Sequence, residues 1–494
     1  RLPMARRMAS VASVASVLRA ARPKLHALVG GCARIPCKTL CSPALNRHGA
    51  RQAPRQAPRE TPGHTLRSHQ DDAECGQGSQ RSDKMKEDWR KRLNTMQLTF
   101  LGTSSGTTTL TRNQQSLALE MGSSLWLFDC GEGVSKRLKE LRLSPLGIKK
   151  IFISHMHGDH VYGLPSLICY IAQAYDTHGA SQPPFVQIYG PEGLRSWLRV
   201  TLRNSYVKLG RSRLQITELK DVTAMQSRRP PINVGNKLFN EDLGPDVQKD
   251  ADGAWTVPLG DDAPPIAVRA VQMEHTVPTV GWVLTEAPRK GRLRIEELQP
   301  LLAGQNVPKS ALGRLKAEGV PIVLDNGRVL KADDFVEPST QRKLAIFSDT
   351  RDASLARPHA MGADLLIHEA TNAFLSMDRE NGLDRAEVYR QAYAHGHSTP
   401  EIAGAFARSI DAKNLVLTHF SARYPGDGKY PGMMSEIRRL ARSTFLPGRR
   451  VVTARDFQQI RLLPNGTTEI LEPEQVLANL PLSVEAAAHD DAFF

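Results

Sequence analysis

From Gln97 onward, short runs of alternating apolar and polar residues are separated by turn residues. A repeat of two sends every second side chain to the same face, so such runs predict half-buried strands. They fall at 97–101, 116–121, 125–129, 151–154, 185–189, 266–273, 344–348, 363–367 and 415–418. Apolar residues at three- and four-residue spacing predict helices at 134–143, 164–175, 192–205, 400–411 and 430–444. Val134, Leu138 and Leu141 form the inward stripe of the first helix, and Pro191 suits the first turn of the third. Residues 451–463 are expected to close the second sheet. Strands interspersed with helices predict an α+β domain over 95–465, two packed sheets with helices outside.

Two stretches interrupt this pattern. Residues 222–265 hold Pro230-Pro231, Asp261-Asp262 and Pro264-Pro265 with scattered glycines, and read as a long unstructured surface loop. Residues 466–494 read as a C-terminal tail, acidic and weakly structured from Leu471. No internal repeat is evident.

Composition changes the picture mainly at the N-terminus. At 494 residues and 40% apolar content the chain can bury a large core, enough for one main domain with appendages. Its formal charge of +14 invites a nucleic-acid reading, but residues 1–70 hold eleven Arg and two Lys against Glu60 alone, and so carry +12 of it. This segment is rich in Ala, Ser, Arg and Pro, and 5–25 can form a short basic amphipathic helix, the composition of an organellar transit peptide. The Ser, Ala and Pro content favours chloroplast over mitochondrion; the alternative is a disordered basic arm that touches RNA or nothing. Residues 71–94 are a polar linker. Four of the six cysteines precede the domain and only Cys130 and Cys169 lie within it, so no disulfide framework is implied. No apolar run reaches the ~18–20 residues of a membrane span.

The chemistry concentrates in Ser154-His155-Met156-His157-Gly158-Asp159-His160, at the end of an apolar strand. Alternate side chains of an extended loop share a direction, so His155 and His157 can converge on one cation while Asp159 and His160 face a second. Zinc suits such an N/O donor set, with manganese or iron as alternatives. Two cations need further ligands. His275, Asp349 and His419 each follow a predicted strand and are candidates to complete the set.

These residues carry a resemblance. Phe100-Leu101-Gly102-Thr103 with Arg112-Asn113, Phe128-Asp129-Cys130-Gly131-Glu132-Gly133, the histidine run, His368-Glu369-Ala370-Thr371, His397-Ser398-Thr399 and Thr418-His419-Phe420-Ser421 are similar to ribonuclease Z over roughly 96–463. That family comprises tRNA 3′-end endonucleases of the metallo-β-lactamase αββα fold. The resemblance implies His155, His157 and His275 on one metal, Asp159, His160 and His419 on the other, and Asp349 bridging. It further implies Asp159 as the group that accepts or orients the proton of a water attacking phosphorus, and His397 backed by Glu369 as proton donor to the leaving 3′ oxygen. His368 reads equally as a packed strand-end histidine. Residues 287–338 lie where the family projects a flexible tRNA-gripping arm, here with Arg289, Lys290, Arg292, Arg294, Lys309, Arg314 and Lys316; Glu296, Glu297 and Glu318 could instead balance them. A homodimer acting on precursor tRNA is the implied assembly. The alternatives are a small-substrate thioester or phosphodiester hydrolase on the same fold, and an inactive RNA-binding relative. Thr108-Thr109-Leu110-Thr111-Arg112-Asn113 departs from the family's Pro-x-Lys-x-Arg-Asn, keeping only the last two residues.

Overall fold

Apolar residues on both faces of most strands require each sheet to be covered twice, once by the other sheet and once by helices. The computed structural model describes residues 95–178, 181–225, 235–260, 263–289, 291–426 and 430–480. The expected transit segment, the linker through residue 94, Lys290 and the end of the tail lie outside these.

In chain order the strands are β1 (Met96–Gly102), β2 (Ser116–Met121), β3 (Ser124–Phe128), β4 (Ile148–Phe152), β5 (Phe185–Pro191), β6 (Arg213–Leu219), β7 (Glu241–Val247), β8 (Trp255–Thr256), β9 (Ile266–Met273), β10 (Thr279–Glu286), β11 (Ile322–Val323), β12 (Val329–Leu330), β13 (Lys343–Phe347), β14 (Leu365–Glu369), β15 (Asn414–Thr418), β16 (Arg450–Thr453), β17 (Gln459–Leu462) and β18 (Thr468–Leu471). A nine-stranded sheet runs β18-β17-β1-β2-β3-β4-β5-β6-β7, and a seven-stranded sheet runs β16-β15-β14-β13-β10-β9-β8. β3 through β7 are parallel, as are β13 through β16.

Strand parity sorts the core. Trp126, Phe128, Phe152 and Tyr189 face between the sheets and meet Trp282 of the other sheet, whose ring lies 5.1 Å from that of Phe152. Leu127, Ile151 and Ile153 point the other way, beneath helices Val134–Glu140, Leu164–His178 and Leu194–Asn204. The outer face of the second sheet lies under helices Pro400–Ser409 and Pro431–Thr444. The result is an αββα sandwich, the architecture expected from the strand and helix pattern.

Four expectations need correction. Residues 222–265 are not a featureless loop: they supply edge strand β7 and edge strand β8, and Trp255, Val257 and Leu259 are buried between the sheets. The Pro and Asp pairs obscured the alternation of these three apolar residues. Arg199 and Glu241, both buried, pair at 2.7 Å and hold β7 against helix Leu194–Asn204. Pro191 does not open that helix; it ends β5, and the helix starts after Gly193. Residues 451–463 divide between the sheets, because β16 pairs with β15 while β17 crosses to pair with β1. The tail also begins in order, with β18 followed by helix Pro473–Ala478.

Residues 287–338 form helices Ile295–Leu302 and Lys309–Glu318 and a small β11–β12 hairpin around their own core of Leu293, Leu298, Leu315, Ile322, Leu324, Leu330 and Phe335. No helix among the described residues is long and apolar enough to cross a membrane.

Candidate metal centre

In open sheets ligands gather beyond the carboxyl ends of parallel strands. Here the carboxyl ends of β3, β4, β13, β14 and β15 meet at one rim of the sandwich and deliver the polar residues. Asp129 and His419 each follow a strand directly and take left-handed backbone, with φ of 59° and 58°, which turns the side chain across the strand end.

His155 Nε2 lies 3.0 Å from His157 Nδ1, and His275 Nε2 lies 3.3 Å from the same nitrogen. Asp349 Oδ2 stands 3.7 Å from His155 Nε2 and 3.5 Å from His275 Nε2. The other oxygen of Asp349 faces a second group: Oδ1 is 3.4 Å from His160 Nε2 and 3.1 Å from His419 Nε2. Those two nitrogens are 3.2 Å apart, and Asp159 Oδ2 lies 3.4 Å from the first and 3.5 Å from the second. Four donors at ~2.0–2.1 Å around a tetrahedral ion are separated by roughly 3.3 Å. Both groups have this spacing, and the carboxylate of Asp349 spans the two.

The rings are also aimed. His160 Nδ1 is 2.8 Å from Asp129 Oδ2, His275 Nδ1 donates to Gly396 O at 2.8 Å, and His419 Nδ1 lies 3.0 Å from Thr371 Oγ1. His155 Nδ1 is 2.9 Å from Ser154 Oγ. Partners of this kind fix the tautomer that leaves the opposite nitrogen free for a cation. Asp129 is itself held, accepting from Ser154 N at 2.7 Å, Ser154 Oγ at 2.9 Å and Ser348 Oγ at 3.1 Å. Sequence reasoning gave Asp129 and Thr371 no role; a buried Asp directly after a strand was the available signal for the first. Gly396 admits no side chain, since a Cβ would lie 2.6 Å from His275 Nδ1 and its φ is +79°.

Electrostatics agree with a cation site. Burial holds the imidazoles of His155 and His157 down, His157 to about 4, despite the opposing pull of Asp349. Burial also lowers His275. Asp349 is buried too, yet the surrounding His419, His160, His155 and His275 hold its carboxyl well below the usual range. His160 goes the other way: burial opposes its charge, but Asp349, Asp159 and Asp129 outweigh that and raise it. The carboxylates thus call for positive charge at this point, which is what bound cations provide.

His397 borders the cluster. Its Nδ1 lies 3.1 Å from Glu369 Oε1, 3.3 Å from Thr371 Oγ1 and 3.8 Å from Asp349 Oδ2. Burial opposes its charge, but Glu369 and then Asp349 outweigh it and raise the imidazole to about 9. Glu369 is fully buried and accepts from Thr350 N at 2.8 Å and Thr371 Oγ1 at 2.5 Å. His368 does not join them. Neighbours on a strand face opposite ways, and His368 packs outward between Phe347 and Phe406.

The structure does not bring the arm's cations to this cluster as a free patch. Arg289 pairs with Glu286, Arg292 with Glu296, Arg294 with Glu297 and Arg314 with Glu318. Lys309 and Lys316 are exposed on helix Lys309–Glu318.

Comparison with known proteins places the chain. A family profile described as Anti-Pycsar protein Apyc1 matches residues 96–239, the stretch with the histidine run. Zinc phosphodiesterase ELAC protein 1 of Bos taurus is 34% identical over 382 residues, covering 74% of this chain and 98% of that protein. Ribonuclease Z of Prochlorococcus marinus (strain MIT 9313) is 34% identical over 375 residues, covering 75% and 98%. Among solved structures, human tRNase Z, short form (ELAC1), is 26% identical with a TM-score of 0.45, covering 74% of this chain and 98% of that one. The metallo-beta-lactamase fold protein YhfI of Bacillus subtilis is 15% identical with a TM-score of 0.44, covering 74% and 100%. Fold and site define a hydrolase of the metallo-β-lactamase fold. With a third of the aligned residues identical to relatives matched over nearly their whole length, the chain belongs to the ribonuclease Z family.

Proposed function

We propose that the protein is a zinc-dependent endoribonuclease that removes 3′ trailers from precursor tRNA, leaving a tRNA 3′-hydroxyl and a 5′-phosphorylated trailer. The observation that carries this reading is the doubled donor group with Asp349 between its halves and His397 at its border. His155, His157 and His275 would hold one ion, Asp159, His160 and His419 the other, with Asp349 shared. Two divalent cations held there would polarise a phosphodiester and lower the pKa of a bound water. Asp159, partly exposed like His157 while the other ligands are buried, would orient that water. With Nδ1 committed to Glu369, His397 presents Nε2 as the nitrogen able to give a proton to the departing ribose oxygen. Glu369 stabilises the charged ring and fixes its tautomer. Zinc suits the N/O set, and manganese or iron would fit the same donors.

The test is end-mapping of a precursor tRNA with a short 3′ trailer after incubation with zinc-loaded protein. A single cut beside the discriminator base, with a 3′-hydroxyl on the tRNA, is expected. Intact RNA together with hydrolysis of a small thioester or phosphodiester would keep the centre and overturn the substrate.

A further inference from the structure

The loop between β1 and β2 touches the second donor group. Gly106 N donates to Asp159 Oδ2 at 2.7 Å, and this is the oxygen that stands 3.4 Å from His160 Nε2 and 3.5 Å from His419 Nε2. The same loop is tied to the residue after His419. Phe420 N donates to Thr103 O at 2.8 Å, and Ser105 N donates to Phe420 O at 2.9 Å. Two ligand-bearing segments of one ion's site, at Asp159 and at the residue after His419, are therefore joined to this loop.

The loop is braced from behind. Arg112 is fully buried, donating to Thr103 Oγ1 at 2.7 Å, Ala454 O at 2.9 Å and Tyr424 O at 2.9 Å, with its guanidinium 4.6 Å from the centre of the Phe420 ring. Asn113 N donates to Asp456 Oδ2 at 2.6 Å. Arg112 and Asn113 thus act as struts and do not face solvent. The front of the loop is open: Gly106, Thr107, Thr108 and Leu110 are exposed.

Gly106 has φ +71°, and a Cβ there would meet nothing within 4 Å. Glycine is favoured here by backbone conformation rather than by space. That conformation directs the N–H at the carboxylate. A donor on a ligand oxygen fixes the carboxylate's orientation before an ion arrives and lowers the cost of assembling the site.

We infer that Gly106 is a positioning residue: its backbone N–H holds Asp159 in the orientation that completes the second metal site, so the affinity of that site depends on the conformation of the β1–β2 loop. The inference rests on the proposed binuclear centre. Its consequence is selective: a change in the conformation of the loop acts on the ion that Asp159 holds.

The test compares the full chain with Gly106→Asn, which keeps the N–H and tolerates left-handed backbone, and Gly106→Pro, which has no N–H and cannot adopt positive φ. Each is loaded with Co2+ and titrated with a chelator, following metal content, the cobalt absorption bands and the melting temperature of the stripped protein. Gly106→Asn is expected to match the unaltered chain. Gly106→Pro is expected to keep one ion at unaltered affinity and to hold the other roughly 10–100-fold more weakly, with its absorption bands lost first. Both ions retained equally by Gly106→Pro would overturn the inference, as would parallel loss of both with a lowered melting temperature of the stripped protein. Should Gly106→Pro not fold, Gly106→Val, which strains the left-handed backbone, is read by the same selective loss. Fewer than two ions on the unaltered chain would instead overturn the binuclear reading itself.

Discussion

Asp129 and Glu369 stand one residue back from the reacting centre, and each sets the direction of an imidazole, His160 or His397. The two roles differ in what their loss would do. For His397→Gln, the single-turnover cleavage rate is expected to fall by about 10²–10⁴, the range of a lost general acid, while precursor tRNA binding stays near its original value. A parallel fall in binding would show that the ring holds substrate instead. His368 provides the contrast one residue from Glu369. His368→Leu is expected to leave cleavage intact and to cost about 1–3 kcal/mol of unfolding free energy, because it removes the bond from Nδ1 to Glu369 O at 2.8 Å, although Nε2 is already buried without a partner. At this scale the histidine run was legible because its chemistry is local in sequence. Asp129 carried only the weaker signal of an Asp directly after a strand, because one of its partners, Ser348, lies 219 residues away.

Among the elements, β9 and β10 were foreshadowed unequally. The apolar run of β9 was plain, whereas β10, its hairpin partner, is buried on both faces and shows no alternation, and the sheet assignment of β17 depends on non-local pairing. β17 returns to pair with β1, joining Met96 to Leu462. Arg342 marks where these elements meet: it donates to Glu286 Oε2 at 2.7 Å from Nε and to Leu462 O at 2.6 Å from Nη1, all within a buried setting. Glu286→Gln would leave that guanidinium uncompensated, and a loss of about 3 kcal/mol at neutral pH is expected by denaturant unfolding. Burial works against the Glu286 carboxylate, but Arg342 and Arg289 hold its pKa below the ordinary 4.5. The stability it contributes is therefore complete above 4.5 and lost as pH falls through the lower folded value, so the gap between unaltered chain and variant should close in acid. A gap independent of pH would place the effect in packing. In the arm, exposed Lys309 and Lys316 differ from the paired arginines. Replacing both by Ala should flatten the salt dependence of tRNA binding by about 1–2 in log–log slope, and replacing Arg292 should leave it unchanged. Equal effects would mean that RNA displaces the arm's own carboxylates.

The whole molecule divides its donors between its two sheets. His155, His157, Asp159 and His160 follow β4, in the nine-stranded sheet, while His275, Asp349 and His419 follow strands of the seven-stranded one. The αββα arrangement was legible from strand and helix order, and net charge was a poor guide because most of it lies in residues 1–70. What sequence could not convey is that each proposed ion takes ligands from both layers. Every ion so bound is a crosslink between two halves of the core, and its binding energy becomes folding energy. Stripping the metal should lower unfolding free energy by about 3 kcal/mol for an ion present at a hundred times its dissociation constant, and amide exchange should quicken first at the strand ends that form the rim. An unchanged melting temperature on chelation would show that the layers hold without it. On the expected outcome the rivet that joins the halves would also be the tool that cuts, and a cell short of metal would lose standing protein as well as activity.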